Sequence, residues 1–188
     1  MNESNQIIED GAVVVANSTI LAVGTRANME LQYPQAESKH FNDALLMPGL
    51  VNTHCHSGLL RGTAEGLAVW DWLQRYIDPM HRVITEKEAE IASRLCYAEA
   101  LMSGTTTIVD MWRHMHGSAA VAKELGIRVN LVPYVAEHPD HNYFETLATN
   151  EALINSCHQT ANDRIQVWVG LEHMFYATPD ALTRITHM

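Results

Sequence analysis

Basic residues are scarce in this chain. Twelve Lys and Arg stand against twenty-two Asp and Glu, a formal net charge of −10. The few cations do not cluster, which argues against a nucleic-acid phosphate backbone as partner. Cysteines are three, Cys55, Cys96 and Cys157, odd in number and widely spaced. They lack C-x-x-C spacing, so neither a disulfide framework nor a closed structural zinc module is expected, and a reducing, cytoplasmic compartment is. No apolar run is long enough to span a bilayer, so no membrane partner is expected. The opening MNESNQIIED is polar and acidic, without the basic and apolar regions of a signal peptide. Internal repeats and low-complexity segments are also missing.

What is present is globular. Apolar residues make up 47% and charged residues 18% of 188 positions, enough for one ordinary domain with a real core. Two β-branched segments, Ala12 to Val15 and Ile20 to Val23, flank turn formers and read as a hairpin. After a polar loop containing Pro34, a strand is expected to end near His54 to His56. Trp70 to Ile77 is a short amphipathic stretch. Thr85 and Glu88 have capping-box spacing. Ala89, Ala92, Leu95, Cys96, Glu99 and Met102 then mark a helix that stops at Gly104. Strands are expected at 105–110, 128–135 and 165–170. Helices are expected from a Ser118 cap to Leu125, from an Asn150 cap to about Ala161, and from Thr178-Pro179-Asp180 onward.

This order is a hairpin followed by four strand-loop-helix units, which implies parallel strands and right-handed crossovers. The expected class is α/β: part of a small β-sandwich over residues 1–45, then about four βα units of a TIM (β/α)8 barrel over 46–188. A whole barrel takes roughly 250 residues. The chain is therefore expected to be an N-terminal portion of something longer.

The stretch MPGLVNTHCHSGLLRG, from Met47 to Gly62, carries the chemistry. Side chains alternate along a strand, so His54 and His56 share one face and Cys55 takes the other. Two imidazoles at the C-terminal end of a barrel strand can share a metal ion. On spacing alone, a chance pair at a strand end remains equally open. A second pair, His114 and His116, lies past a strand end where alternation is not guaranteed. His138 and His141 sit in a polar loop with Pro139. Asp110 ends a strand and is not counted as a ligand.

MPGLVNTHCH, the following Arg61-Gly62, the Trp72-Leu73 pair and SGTTTIVD together resemble the amidohydrolase superfamily. The likeness is to its aminohydrolase and chlorohydrolase branch, which includes S-adenosylhomocysteine/methylthioadenosine deaminases, guanine-type deaminases and triazine hydrolases. IEDGAVVVANSTILAVG is similar to that branch's N-terminal sandwich segment, so the resemblance covers nearly the whole chain.

The resemblance implies that His54 and His56 bind one divalent metal, zinc first and iron second. It also implies hydrolysis of a non-peptide C–N bond by metal-bound hydroxide, most simply the deamination of an aminated purine, pyrimidine or triazine. Further ligands and the acid–base groups belong to later strands of the family, so no catalytic acid or base is expected within these residues. His173, in GLEHMFY, falls where family members carry a substrate-facing histidine. Trp72 matches the tryptophan of the W-L pair, with packing on a helix face as its alternative. His81 follows Pro79-Met80, where adenosine-type deaminases hold ribose hydroxyls with an acidic residue, and is taken as substrate-binding.

Two departures weaken a nucleoside substrate with an amino-acid tail: that missing acid, and Pro133-Tyr134 where an arginine can bind a carboxylate. The loop between His56 and Arg61 is shorter than in many relatives, and the first sandwich strand is expected to be absent from these residues. Small heterocycles and water are the expected partners. The alternative is that this chain by itself is a catalytically incomplete half-barrel. Its open edges would then drive association into a homo-oligomer.

Overall fold

The structure is a computed structural model that describes residues 6–60, 62 and 66–188. Arg61 lies outside the described residues. Two compact units divide the chain, Met1–Pro48 and Gly49–Met188.

In the first unit, β1 (Gly11–Ala16) and β2 (Thr19–Thr25) pair antiparallel, with a bulge between Val14 and Val15. Asn17 turns the hairpin at φ 55°, a left-handed conformation that asparagine tolerates. Helix α1 (Arg26–Gln32) follows directly and buries Met29. The Arg26 guanidinium donates to both Asp10 carboxylate oxygens, tying the helix start to the start of the hairpin.

The second unit is built on a parallel sheet. Its strands β3 (Leu50–Cys55), β4 (Thr105–Trp112), β5 (Arg128–Pro133) and β6 (Ile165–Val167) lie side by side in chain order among the described residues. A helical segment follows each strand. After β3 come α2 (Val69–Trp72), a π-helical turn at Leu73–Ile77, α3 (Asp78–Val83) and the long α4 (Glu86–Met102). Helix α5 (Met115–Leu125) follows β4. Helix α6 (Leu147–Cys157) and the short turn α7 (Thr160–Asp163) follow β5, and α8 (Pro179–Ile185) follows β6. This is the sequential β/α arrangement from which (β/α)8 barrels are built. No helix among the described residues is long and apolar enough to cross a membrane.

The core lies between the sheet and its helices. Ile108 and Trp112 of β4, with Val129 and Leu131 of β5, alternate inward and are fully buried against Ala89 and Tyr97 of α4 and Val121 and Ala122 of α5. Each intervening residue of these strands, such as Val109 and Val132, is only half-buried on the opposite face.

Local signals decide several helix ends. Thr85 and Glu88 form the expected capping box, and Thr178 caps Ala181 N–H. Gly104 and Gly126 adopt φ 85° and 80°, where a side chain would be strained. Other ends differ from expectation. Helix α5 begins three residues before Ser118, and that hydroxyl is buried against Ser93 instead of capping. Thr146 caps α6, while Asn150 sits inside it, accepting from Gly170 N–H and donating to the Trp168 carbonyl. The buried face of α4 is Ala89, Ser93 and Tyr97, and the expected face residues Leu95 and Met102 are exposed. The reason is polar: the Tyr97 hydroxyl bonds Asp110 on β4, and the Ser93 hydroxyl bonds Ser57 just beyond β3 and Ser118 on α5.

Candidate metal and substrate site

The C-terminal ends of β3, β4 and β5 come together at His56. Along residues 54–57 the side chains alternate as the strand pleat requires. Cys55 and Ser57 are buried toward α4, His54 is exposed and His56 is half-buried. The His54 and His56 rings lie 4.7 Å apart, centroid to centroid, with their planes at 81°. His56 Nδ1 lies 2.9 Å from the Met111 carbonyl and 2.8 Å from the Tyr134 hydroxyl. A carbonyl can only accept, so Nδ1 carries the proton and Nε2 is the lone-pair nitrogen available to a metal. Such outer contacts fix the tautomer and orientation of metal-binding histidines.

Behind the pair lies a buried polar network. Asp110 is fully buried and accepts three hydrogen bonds: Ser57 N–H at 2.9 Å, Ser57 Oγ–H at 2.5 Å and Tyr97 O–H at 2.5 Å. The hydroxyls of Ser57, Ser93 and Ser118 form a chain at 2.7 and 2.9 Å. Burial pushes the Asp110 carboxyl upward while the Ser57 and Tyr97 hydrogen bonds pull it down. This network anchors the backbone immediately after His56. Sequence reading missed it, although its signal was there: an aspartate closing the apolar alternation of TTTIVD.

The remaining candidates are placed as follows. Trp72 is half-buried at the end of α2 and packs against the core cluster. His81 is only 2% exposed, with its ring 4.5 Å from Trp112, 5.2 Å from Phe144 and 5.6 Å from Tyr134. Burial, reinforced by the positive charge of Arg113, holds it down to about 3, so it is neutral. Its Nδ1 has no hydrogen-bond partner among the described residues. His173 is exposed, contacts the Glu172 carboxylate through Nδ1 and stands 5.6 Å from the Tyr176 ring.

Of the other histidine pairs, His138 and His141 bring their rings to 5.4 Å within one loop. His114 takes a left-handed conformation at the start of α5, and His116 reaches Ser156 on α6. His138 accepts from Asp140 N–H within its own loop. Among the described residues, no group of three or more His, Cys, Asp or Glu side chains could hold a metal ion.

The sequence pattern of the amidohydrolase family matches residues 45–187. The chain belongs to the amidohydrolase family. Residues 11–36 match a bacterial imidazolonepropionase-like composite domain. A 5-methylthioadenosine/S-adenosylhomocysteine deaminase of Shouchella clausii is 32% identical over 189 residues, covering 98% of this chain and 44% of the relative. An adenosine deaminase from Xanthomonas campestris, solved with bound zinc, superposes with a TM-score of 0.81 at 27% identity, covering 97% of this chain and 43% of that one. An atrazine chlorohydrolase from Arthrobacter aurescens, complexed with zinc, shares the fold with a TM-score of 0.76 at 16% identity, covering 100% of this chain and 47% of that one. This amidohydrolase chain thus spans less than half the length of the relatives it matches. Its sheet is the parallel β/α part of their barrel, preceded by a small antiparallel sheet.

Proposed function

We propose that the protein is a metal-dependent hydrolase that deaminates an aminated heterocycle of purine, pyrimidine or triazine type. In this reading residues 1–45 are part of a β-sandwich and 46–188 the first half of the barrel. The observation that supports it is the crossed pair His54–His56, with His56 Nδ1 held by Met111 and Tyr134 so that Nε2 is left as the donor. Two neutral imidazoles are a suitable donor set for zinc or iron, and they add no charge to it. A divalent metal held there supplies Lewis acidity and lowers the pKa of water to about 7.

The chain's own residues then divide the work. His54 and His56 hold the ion. Asp110 and Ser57 keep the backbone beyond His56 from drifting. His173 and Trp72 meet the heterocycle, and His81 Nδ1 supplies a buried, neutral position beneath Trp112. Acid–base groups come from residues outside this stretch.

The test pairs metal content with turnover. Wild-type protein purified with zinc should retain it, and His54→Ala and His56→Ala should not. Ammonia release from a panel of amino-purines, pyrimidines and triazines identifies the substrate. Zinc retention unchanged in both variants would end this reading.

A second reading concerns the chain by itself, in a cytoplasmic setting that suits its disulfide-free cysteines. Leu50 and Val51 of the edge strand β3 and Ile91, Leu95 and Met102 of α4 are all more than half exposed. Exposed apolar side chains on an edge strand and a helix favour self-association into a catalytically incomplete homo-oligomer. Gel filtration of these 188 residues tests it, and a stable monomer contradicts it.

A further inference from the structure

The pleat that turns His54 and His56 one way turns Cys55 the other way, onto α4. There its sulfur meets Cys96 at an Sγ–Sγ distance of 3.4 Å, forty-one residues apart in sequence. This is a thiol–thiol hydrogen bond between two free cysteines, not a disulfide. We propose that Cys55 and Cys96 form a reversible oxidation site, converted to a disulfide by hydrogen peroxide.

Proximity and access carry the argument. A disulfide has sulfurs about 2.05 Å apart, so closure needs a movement of about 1.4 Å. Helix α4 is already tied down on either side of Cys96: Ser93 bonds Ser57, two residues beyond Cys55, and Tyr97 bonds Asp110 on the neighbouring strand β4. A cavity of about 400 Å³ opens between the end of β3 and α4, lined by Leu59, Ile91, Ala92, Leu95 and Cys96. It is far larger than a peroxide molecule. Cys96 is half-buried on its wall, whereas Cys55 is buried beneath. Peroxide therefore reaches Cys96 first, and Cys55 is positioned to resolve the product.

The chemistry balances. Cys96 sulfur attacks one peroxide oxygen; the O–O bond breaks, Cys96 becomes a sulfenic acid, and the thiol proton leaves with the other oxygen as water. Cys55 sulfur then attacks Cys96 sulfur; the S–O bond breaks, and a second water departs with the Cys55 proton. Two thiols are oxidised by two electrons, and one peroxide is reduced to two waters. The product staples α4 to the strand segment that bears both histidines. Dithiol reductants reverse it by exchange.

The experiment treats purified wild-type protein with hydrogen peroxide, alkylates remaining thiols, and maps peptides without reduction. The expected result is a linked Cys55–Cys96 peptide that has lost two hydrogens, with loss of label at both positions. Cys157 should stay labelled, and dithiothreitol should restore label at 55 and 96. Cys96→Ser should leave Cys55 fully labelled after the same treatment. Retention of label at both positions in the wild type, overoxidation to sulfinic acid without a linkage, or a disulfide involving Cys157 would each overturn the proposal. Zinc content of the reduced protein is measured separately, so a failure of the metal reading stays distinct from a failure of this one.

Discussion

The carboxylate of Asp110 holds Ser57 twice, taking its backbone N–H at 2.9 Å and its hydroxyl at 2.5 Å. Because Ser57 is bonded directly to His56, a side chain buried under the sheet sets where a candidate metal-binding ring begins. Asp110→Asn keeps one acceptor oxygen and loses the other, so a buried donor goes unpaired. The expected cost is about 1–3 kcal/mol of folding stability. Asp110→Ala strands all three donors and costs more. Urea unfolding midpoints of the two variants, ranked against wild type, check the order; equal midpoints would show that the network contributes nothing.

Tyr134 touches the same imidazole from β5's side, through its hydroxyl at 2.8 Å from His56 Nδ1. Tyr134→Phe preserves the ring packing against Trp112 and Phe144. Zinc affinity should fall by about tenfold to a hundredfold, the usual effect of losing an outer hydrogen bond to a ligand. Competition titration against a chelator measures it. An unchanged affinity would leave the Met111 carbonyl as sufficient orientation.

His81 makes stability depend on pH. Its value in the folded protein, about 3, lies below the ordinary 6.5 because it is buried, with the positive charge of Arg113 adding to the effect. The unfolded chain therefore binds the proton first. Stability from the neutral ring is fully present above the unfolded value and is lost as pH falls from 6.5 toward 3, by up to about 1.4 kcal/mol per pH unit. His81→Leu should flatten the acid side of the stability profile measured by urea unfolding. A variant profile that falls as steeply as the wild type's would place the acid sensitivity elsewhere.

Gly58 is a position where only hydrogen fits. A Cβ there would overlap the indole of Trp112, itself 1% exposed and unable to retreat. Gly58→Ala should cost about 1–3 kcal/mol through forced repacking. Because the shift falls two residues beyond His56, zinc affinity should drop as well. Thermal unfolding and zinc titration on the same sample check both effects, and a variant with wild-type values for both would contradict the packing argument.

Much of this architecture was legible in local chemistry. The hairpin, the Thr85–Glu88 box, the Thr178 cap and the glycine stops at 104 and 126 depend on contacts within a few residues, and they form where the sequence places them. The errors fall where a distant partner intervenes. Ser118 and Asn150 look like caps because their side chains can bond nearby backbone, yet both are engaged by residues from other elements. The inward face of α4 departs from its apolar spacing for the same reason. Apolar spacing favours Leu95 and Met102, but Asp110 recruits Tyr97 and, through Ser57, Ser93.

By itself, the sequence determined the order of strands and helices, the family and the sidedness of His54 and His56. Hydrophobic period, turn chemistry and strand pleat are local properties that a linear chain encodes directly. Only the tertiary structure decided what stands around that pair: Met111 and Tyr134 on one imidazole, Asp110 behind Ser57, Cys96 against Cys55. Those contacts join residues 41 to 78 positions apart, and they arise from the lateral packing of parallel strands and their helices, which local periodicity does not specify.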